Sequence, residues 1–384
     1  CMRITRAKAR VVGGSGRRGG LTPARLLGVM AWCALLVLVD VAATLALGQY
    51  GSLSAVAVDD FGSAPSVGTA FVGSSFAERA FDPMSFDDAR QEEDATAAQD
   101  SYNLSTPGQT MGATGDAVSY AIQRGARRVV LGLGVETMCC YADARSDVPY
   151  YLARYEREPL TLVGRLASVA LDPDVVGSKD SLNVLFPWIF TTIKHVPSVG
   201  QNLRSRLSGE ARSAAAEKVV RDWRYAGRGY GNFTMQLDLS DPRTSVNTYG
   251  EPRQDPRCLE ALARIADECR SAGVQLVVVS TPHPAYDTVA FGDAYPEIMG
   301  AVQRVAQEHG ATYLDFNMAR DGVLDLSPED YGDFEHLGPE GARRFSRLLA
   351  QMLSRIDEGA DASSDFYGYD DWSQWLAGHQ GWRV

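Results

Sequence analysis

The chain has 384 residues, of which 45% are hydrophobic and 22% are charged, and its formal net charge is −11. This composition is sufficient for a large hydrophobic core and excludes a disordered or fibrous chain. The acidic balance argues against a general nucleic-acid-binding protein, which needs a basic surface.

The N-terminal region is basic, and an apolar segment follows it. Residues 1–25 contain seven of the 37 Lys and Arg residues and no Asp or Glu, so 30 basic and 48 acidic residues remain for the rest of the chain. The segment from Leu26 to Leu47 has 22 residues, with Asp40 as its one charged residue. About 20 apolar residues span the hydrocarbon core of a bilayer as a helix, and arginines beside such a helix stay in the cytoplasm.

This pattern predicts a basic cytoplasmic arm at 1–25, a transmembrane anchor at 26–48 and an extracytoplasmic body, which makes the chain a single-pass protein of the cell membrane. A cleaved signal peptide is the alternative, although the apolar run is longer than the roughly 7–15 residues of a signal core. Both interpretations place the body outside the cytoplasm, where disulfides persist.

The cysteines show no metal-binding spacing. Six are present: Cys1, Cys33, Cys139, Cys140, Cys258 and Cys269. A disulfide from Cys139 or Cys140 to Cys258 and four reduced thiols in the body are both open. Because there is no Cys-x-x-Cys pair, and no His near a Cys at zinc-finger spacing, we expect no metal ion. Nothing in the sequence calls for a cofactor.

Beyond residue 66, apolar strands alternate with amphipathic helices, whereas the small and polar residues of 49–66 are typical of a linker. Strands are predicted at Thr69–Gly73, Arg127–Leu133, Val274–Ser280 and Ala311–Phe316, and helices at Gly115–Arg124, Pro256–Ala272, Pro296–His309 and Pro339–Ile356. The continuous apolar run at Val274–Ser280 indicates a strand covered on both faces. The alternation predicts an α/β domain at 67–357 with a parallel sheet, whose functional residues lie at the carboxyl ends of the strands.

Residues 141–250 interrupt the alternation. Helices are predicted at Leu160–Leu171, Leu182–Ile193 and Gly209–Trp223, and a glycine-rich polar run follows at 227–243. We interpret this segment as a helical insertion over the carboxyl edge of the sheet, where selection of a substrate or partner is often built. Candidates there for binding an anionic polymer or sugar, with a solvated loop as the alternative, are Trp223, Arg224 and Arg228.

The C-terminal tail, 358–384, is acidic and holds six aromatic residues. So many aromatic side chains predict docking, either on the body or at the membrane interface, where Trp and Tyr concentrate.

Three short motifs carry the residue types of nucleophilic catalysis. Ser75 follows a buried strand and Gly73, so it is expected near the N-terminus of the next helix, where an oxyanion is stabilised. His336 precedes the last helix, and Asp333 lies three residues earlier, which gives a base and the residue that orients it. Gly108, in a turn, presents a backbone N–H without a side chain. Taken singly, each motif has a structural alternative. The serine would cap the helix, His336 would be a surface histidine beside acids, and Gly108 would belong to a simple turn.

The order of these motifs resembles that of the SGNH/GDSL hydrolase superfamily, whose first block ends in the catalytic Ser and whose last block is Asp-x-x-His. The resemblance covers roughly residues 69–140 and 256–356. It implies a three-layer α/β/α, flavodoxin-like fold with a parallel sheet. It also implies that Ser75 is the nucleophile, His336 the base and Asp333 its orienter, with the amides of Ser75 and Gly108 as the oxyanion hole.

One position departs from the pattern of the family. The third block usually supplies an Asn to the oxyanion hole, and Glu136 falls near that position. A carboxylate repels a developing oxyanion unless it is protonated or turned away, and loss of one oxyanion donor costs roughly 10²–10³ in rate. Glu136 is therefore a candidate for substrate binding. His283, which follows the strand at Val274–Ser280, is a second candidate, with a loop histidine of no catalytic role as the alternative.

The first block, VGSSFAERAFDP, together with the anchor and the insertion, is similar to the membrane-tethered DltD-type and alginate-acetyltransferase-type branch of the superfamily. This resemblance implies an extracytoplasmic serine O-acyltransferase or esterase that acts on acyl groups of a cell-envelope polymer or glycan. The partner it implies is a multi-pass membrane acyltransferase, and no nucleic acid is expected. The alternative is a catalytically degenerate SGNH-like scaffold that binds envelope polymer or a membrane acyltransferase.

Overall fold

The structure is a computed structural model that describes residues 22–47, 49–141, 188, 196–240 and 243–379. Two compact units divide the chain, residues 1–46 and 47–384. The first contains helix α1 (Pro23–Leu47), in which the 18-residue window Pro23–Asp40 has a mean hydropathy of 1.7 and no buried residue. Helix α1 is long and apolar enough to span a membrane or to act as a signal anchor. Its membrane location and orientation stay predictions.

The second unit is built on a parallel sheet. Its described strands are β1 (Thr69–Gly73), β2 (Ser101–Asn103), β3 (Arg128–Leu133), β4 (Trp223–Gly227), β5 (Tyr230–Phe233), β6 (Gln275–Ser280) and β7 (Thr312–Asp315). Five of them form the sheet in the order β2–β1–β3–β6–β7, all parallel, and β4 and β5 form an antiparallel hairpin. Counted within the sheet, this is the order 2-1-3-4-5 of flavodoxin-like folds. The four predicted strands are confirmed to within two residues.

Helices cover both faces of the sheet. In the second unit the described helices are α2 (Leu53–Ser63), α3 (Ser75–Ala80), α4 (Pro83–Glu93), α5 (Met111–Gln123), α6 (Val196–Ser208), α7 (Arg212–Val219), α8 (Ser245–Tyr249), α9 (Pro256–Ser271), α10 (Ala285–Ala290), α11 (Ala294–Glu308), α12 (Pro339–Asp357) and α13 (Trp372–His379). Helices α5, α9 and α11 pack with Ala70 and Val72 of β1, whereas α3, α4 and α12 pack with Phe71 on the opposite face. Successive side chains of a strand point to opposite faces, so β1 contributes to both cores. The fold is the predicted three-layer α/β/α arrangement.

The predicted linker at 49–66 is wrong for most of its length, because residues 53–63 form α2. Ser52 caps this helix, and its Oγ accepts a hydrogen bond from the Ala55 amide at 3.1 Å. Val58 and Phe61 are fully buried in the same core as α5. Apolar residues recur here at helical spacing, and that period outweighs the small and polar residues between them.

The described part of the insertion contains a hairpin and short helices. The predicted helices Leu160–Leu171 and Leu182–Ile193 lie outside the described residues, apart from Trp188. The predicted helix Gly209–Trp223 is shorter than expected, since α7 ends at Val219 and Trp223 begins β4.

Two residues considered for polymer binding have structural roles instead. Trp223 is buried in a small core with Val56 and Phe233. Arg228 donates a hydrogen bond of 2.6 Å to the buried carboxylate of Asp87. The interpretation of Trp223 and Arg228 as ligands of an anionic polymer is therefore corrected, because both side chains are engaged within the fold.

The described part of the tail docks on the body. Trp372 and Trp375 are buried and stacked on each other, with ring centroids 4.9 Å apart. The hydroxyl of Tyr369 donates a 2.6 Å hydrogen bond to Asp315, at the end of β7. The sequence left the body and the membrane interface open as docking surfaces. In the structure, residues 358–379 dock on the body.

No disulfide joins the cysteines of the described residues. Cys258 and Cys269 are buried between α9 and the rest of the core. Burial raises the pKa of each of these thiols to about 12, so both are protonated at neutral pH. The sequence left open a disulfide to Cys258 or four reduced thiols in the body. The structure has the reduced thiols.

Candidate active site

Ser75 lies at the junction between β1 and α3. Gly73 ends the strand with a φ of +154°, and a Cβ on it would lie 2.2 Å from the carbonyl oxygen of Gly132. Glycine is needed at this close approach of β1 to β3. Ser75 is the first residue of α3, so it stands at a helix N-terminus on the carboxyl edge of the sheet. Ser74, the N-cap residue, makes no side-chain capping hydrogen bond, so the structure does not show the helix-cap alternative.

The structure brings Ser75, His336 and Asp333 together, although 261 residues separate the serine from the histidine. His336 Nε2 lies 2.9 Å from Ser75 Oγ. On the other side of the ring, Nδ1 lies 2.8 Å from Asp333 Oδ1 and 3.1 Å from Oδ2. The backbone N–H of His336 also donates to Asp333 Oδ1, at 2.9 Å, which fixes the carboxylate within its own loop. This is the spacing of a nucleophile, a base and an orienting carboxylate.

Arg79 completes the arrangement, and the sequence analysis missed it. Its Nη1 donates to Asp333 Oδ2 at 2.6 Å, and its guanidinium carbon lies 3.9 Å above the centre of the Phe233 ring. The ring comes from β5, so the insertion helps to hold this guanidinium. A signal was present, because Arg79 follows Ser75 by four residues and such residues share one face of a helix.

The surroundings of His336 favour its neutral form. Burial and then the positive charge of Arg79 lower the pKa of the imidazole to about 4, and Asp333 opposes this shift only in part. Burial raises the pKa of Asp333, but the hydrogen bond and charge of His336, together with the charge of Arg79, hold it well below its usual range. At neutral pH the imidazole can therefore accept a proton from Ser75, and Asp333 is ionised.

Ser75 and Gly108, the two residues predicted to form the oxyanion hole, line the same pocket. Gly108 has a φ of +71°, in the left-handed region that favours glycine, and it lines the pocket together with Ser75. Neither the Ser75 amide nor the Gly108 amide donates a hydrogen bond to another group of the described residues. Unpaired N–H groups at a helix N-terminus and a glycine turn are suited to binding an oxyanion.

The pocket has a volume of about 320 Å³ and is bordered by the sheet edge and the insertion. The first loops contribute Ser75, Phe76 and Gly108, and the segment after β3 contributes Glu136 and Thr137. Further lining residues that the sequence did not single out are Ser245, Tyr249, Glu251, Pro252, Phe291 and Glu335.

Glu136, which lines this pocket, and His283 lie close together. A carboxylate oxygen of Glu136, a ring nitrogen of His283 and a carboxylate oxygen of Asp287 lie within 4.8 Å of one another. His283 Nδ1 is 3.0 Å from Asp287 Oδ2, and burial of the ring, which lowers its pKa, is outweighed by Asp287 and Glu136, which raise it to about 9. Glu136 lines the pocket, whereas His283, which is 6% exposed, is not among the lining residues. The structure thus gives His283 no direct contact with the pocket.

The carboxylate at the unusual third-block position is turned toward a cation. A Cβ placed on Gly134 would lie 2.9 Å from Glu136 Oε2 and 3.2 Å from His283 Nε2, so the two side chains converge there. Burial raises the pKa of Glu136, although the charge of His283 lowers it. Burial thus favours the uncharged carboxyl, and the cation of His283 compensates the charge of the ionised form, so each weakens the repulsion of an oxyanion.

No protein-family model matches the chain, and no curated protein matches it. Seven chains of solved structures are similar to it in part, among them the following two. A "putative acylhydrolase" from Bacteroides fragilis has a TM-score of 0.33 and 9% identity, over 78% of this chain and 94% of its own. A GDSL-like lipase from Bacteroides thetaiotaomicron has a TM-score of 0.33 and 10% identity, over 80% of this chain and 100% of its own. Likeness of this degree assigns no activity to the chain.

Proposed function

We propose that the protein is a serine acyl-transfer enzyme of the SGNH type, an esterase or O-acyltransferase that forms an acyl-enzyme at Ser75. The observation that carries the proposal is the 2.9 Å contact of Ser75 Oγ with His336 Nε2, with Asp333 on the opposite ring nitrogen at 2.8 Å. A serine hydroxyl needs such a base to become a nucleophile at neutral pH.

The chemistry proceeds in two balanced steps. His336 takes the proton of Ser75 while Oγ bonds to the acyl carbon, and the same proton then passes to the leaving alcohol as its bond to that carbon breaks. In the second step water or an acceptor hydroxyl gives its proton to His336 while its oxygen bonds to the acyl carbon, and the same proton then passes to Ser75 Oγ as the bond from Oγ to that carbon breaks. Asp333 holds the ring in the tautomer that this exchange needs, and Arg79 holds Asp333.

The oxyanion in both steps would be bound by the amides of Ser75 and Gly108. The third donor of the family, an Asn, is replaced by Glu136, so we expect a rate below that of a three-donor site by roughly 10²–10³. The orientation of Glu136 toward His283 supports a working site with two donors over one that the carboxylate has inactivated.

The cellular setting belongs to the same proposal. Helix α1 and the basic residues before it support an anchor whose catalytic body is extracytoplasmic. A body in that position would act on acyl groups of a cell-envelope polymer or glycan, and a multi-pass membrane acyltransferase would supply the acyl donor.

Ester hydrolysis by the full chain in detergent tests the proposal. We expect Ser75→Ala and His336→Ala to lower kcat for 4-nitrophenyl acetate by at least about 10³. Ser119→Ala, at a half-buried serine of α5 whose hydroxyl donates a hydrogen bond to Glu268, is the matched control and should keep the wild-type rate. Adding an oligosaccharide acceptor then separates the two subclasses, because a transferase yields the acylated sugar at the expense of free acid.

A wild-type rate no higher than that of Ser75→Ala would contradict the proposal. It would instead favour the degenerate scaffold, for which Glu136 at the usual Asn position is the one supporting observation.

A further inference from the structure

The pocket beside Ser75 is lined by acids and aromatic rings. Among the described residues no Lys or Arg lines it. Three carboxylates and three aromatic side chains do: Glu136, Glu251 and Glu335, and Phe76, Tyr249 and Phe291. The acyl-transfer steps use none of these carboxylates, so their charge is available to a ligand.

Glu335 has one carboxylate oxygen engaged and one without a partner. Its Oε1 accepts a hydrogen bond from the Tyr249 hydroxyl at 3.0 Å and lies 3.7 Å from His336 Nδ1. Its Oε2 is buried and has no hydrogen-bond partner among the described residues, and the whole side chain is 9% exposed. An unpaired buried carboxylate oxygen is costly, and a ligand that donates a hydrogen bond or brings positive charge offsets that cost.

Glu136 is similarly short of partners. Both of its carboxylate oxygens are buried without a well-formed hydrogen bond in the described part of the chain, and the nearby polar groups are the Ser245 hydroxyl and His283 Nε2. The cation beside it, His283, is already held by Asp287, whose oxygens also accept hydrogen bonds from Ser245. One imidazolium thus faces two carboxylates, and Glu335 adds a third negative group nearby.

The resulting excess of negative charge acts on the pKa of Glu335 in the pocket wall. Burial, and then the charge of Glu136, raise the pKa of Glu335 to about 7, although His283 opposes the shift. A positive group bound in the pocket would relieve this destabilisation of the two carboxylates.

We propose that the pocket selects substrates that carry an ammonium group, bound by Glu335 and Glu136 beside the aromatic rings. Ammonium groups donate charge-assisted hydrogen bonds to carboxylates and are attracted to the faces of aromatic rings. Phe76, Tyr249 and Phe291 provide such rings, whereas a neutral or anionic ester makes no charge-assisted hydrogen bond with Glu335 or Glu136. The inference rests on the proposed function, since it concerns the substrate that is turned over at Ser75.

Two pairs of matched esters test the inference and locate the charge. Acetylthiocholine and 3,3-dimethylbutyl thioacetate differ by a positive charge in the alcohol part, and glycine methyl ester and methyl propionate differ by one in the acyl part. For each pair the ratio of kcat/KM values, cationic over neutral, is compared between the wild type and the variant Glu136→Gln/Glu335→Gln. This comparison removes the intrinsic reactivity of the esters.

We expect the ratio for at least one pair to fall tenfold or more in the double variant. Glu340→Gln, at an exposed glutamate of α12, is the matched control and should change the ratio by less than twofold. Ratios that the double variant leaves unchanged for both pairs would overturn the inference while the proposed function stands. Loss of the cationic preference on addition of Zn²⁺, restored by EDTA, would assign the two carboxylates to a metal ion and also overturn it.

If the wild type turns over none of the four esters, hydrolysis of 4-nitrophenyl acetate still decides the proposed function. Calorimetry with choline and with glycine methyl ester on Ser75→Ala then tests the pocket separately. Binding that the two Gln substitutions weaken at least tenfold supports the ammonium site, and absence of binding overturns it.

Discussion

Arg79 sets the acid limit of the activity in this account. The variant Arg79→Gln removes its charge and keeps most of its length. Its Nη1 lies 2.6 Å from Asp333 Oδ2, and after burial its charge is the largest cause that lowers the pKa of His336 to about 4. Charges at such range shift a pKa by about 1–3 units, and each unit corresponds to about 1.36 kcal/mol.

The base must be unprotonated, so activity is lost as the pH falls through the pKa of His336. The acid limb of kcat/KM, which reports the unliganded enzyme, should lie near pH 4 in the wild type. In Arg79→Gln we expect it to move upward by about 1 unit. Hydrolysis of 4-nitrophenyl acetate between pH 3.5 and 8 measures the acid limbs of the wild type and of Arg79→Gln. The 4-nitrophenol is quantified after an alkaline quench.

Arg90→Gln is the matched control, because Arg90 lies on α4 and pairs with Asp87 at 3.6 Å, away from His336. Its acid limb should coincide with that of the wild type. Enzyme returned from pH 4 to pH 7 should regain its activity, which separates titration from acid unfolding. A wild-type limb above pH 6, or a limb that Arg79→Gln leaves in place, would refute the assigned charge balance.

Three further variants test packing and linkage by urea unfolding. Gly73→Ala should lower the free energy of unfolding by more than about 2 kcal/mol, because its Cβ would lie 2.2 Å from the Gly132 carbonyl oxygen. Trp375→Ala should cost about 3–5 kcal/mol, since this side chain is 2% exposed and stacked in the docked tail. The pKa of His336 is about 4 in the folded protein, against an ordinary value of 6.5. As the pH falls from 6.5 to 4, the unfolded chain is therefore protonated at His336 before the folded protein is, and the free energy of unfolding decreases. His336→Asn should therefore lose about 2 kcal/mol less than the wild type between pH 7 and 5.

Controls exist for the two packing variants. Gly310→Ala replaces a glycine whose φ is +78° with open space around it, so we expect a cost of roughly 1 kcal/mol. Gln374→Ala, at an exposed position of α13, should change stability by less than about 0.5 kcal/mol. Equal losses for a variant and its control would contradict the packing described here, and parallel pH curves for His336→Asn and the wild type would contradict the linkage.

The sequence predicts the elements whose signal is local. Strands β1, β3 and β6 contain continuous apolar runs, β7 has Tyr313 and Leu314 at its centre, and helices α9 and α12 have one apolar face, so their positions follow from local pattern. Strand β2 is the three polar residues Ser101–Asn103, which become a strand only by pairing with β1. That pairing is a tertiary contact, and no local pattern in the segment predicts it. Helix α2 was missed for another reason, because small residues concealed its helical period.

The candidate site divides in the same way. Ser75, Gly108, Asp333 and His336 sit in short motifs at strand ends, and a parallel sheet collects such residues at one edge. Glu335 acquires its importance only from its contacts in the folded chain, and Arg79 carries one local signal, its position four residues after Ser75. The grouping of Glu136 with His283 joins segments after β3 and β6, so spacing within one segment could not reveal it.

The most direct test of the central claim is covalent labelling of the full chain by a fluorophosphonate, followed by intact mass and peptide mapping. A serine deprotonated by His336 should take up one phosphonyl group, located on Ser75, at a rate that His336→Ala reduces at least a hundredfold. Labelling that persists in Ser75→Ala, or folded wild-type protein that takes up no label, would contradict the account.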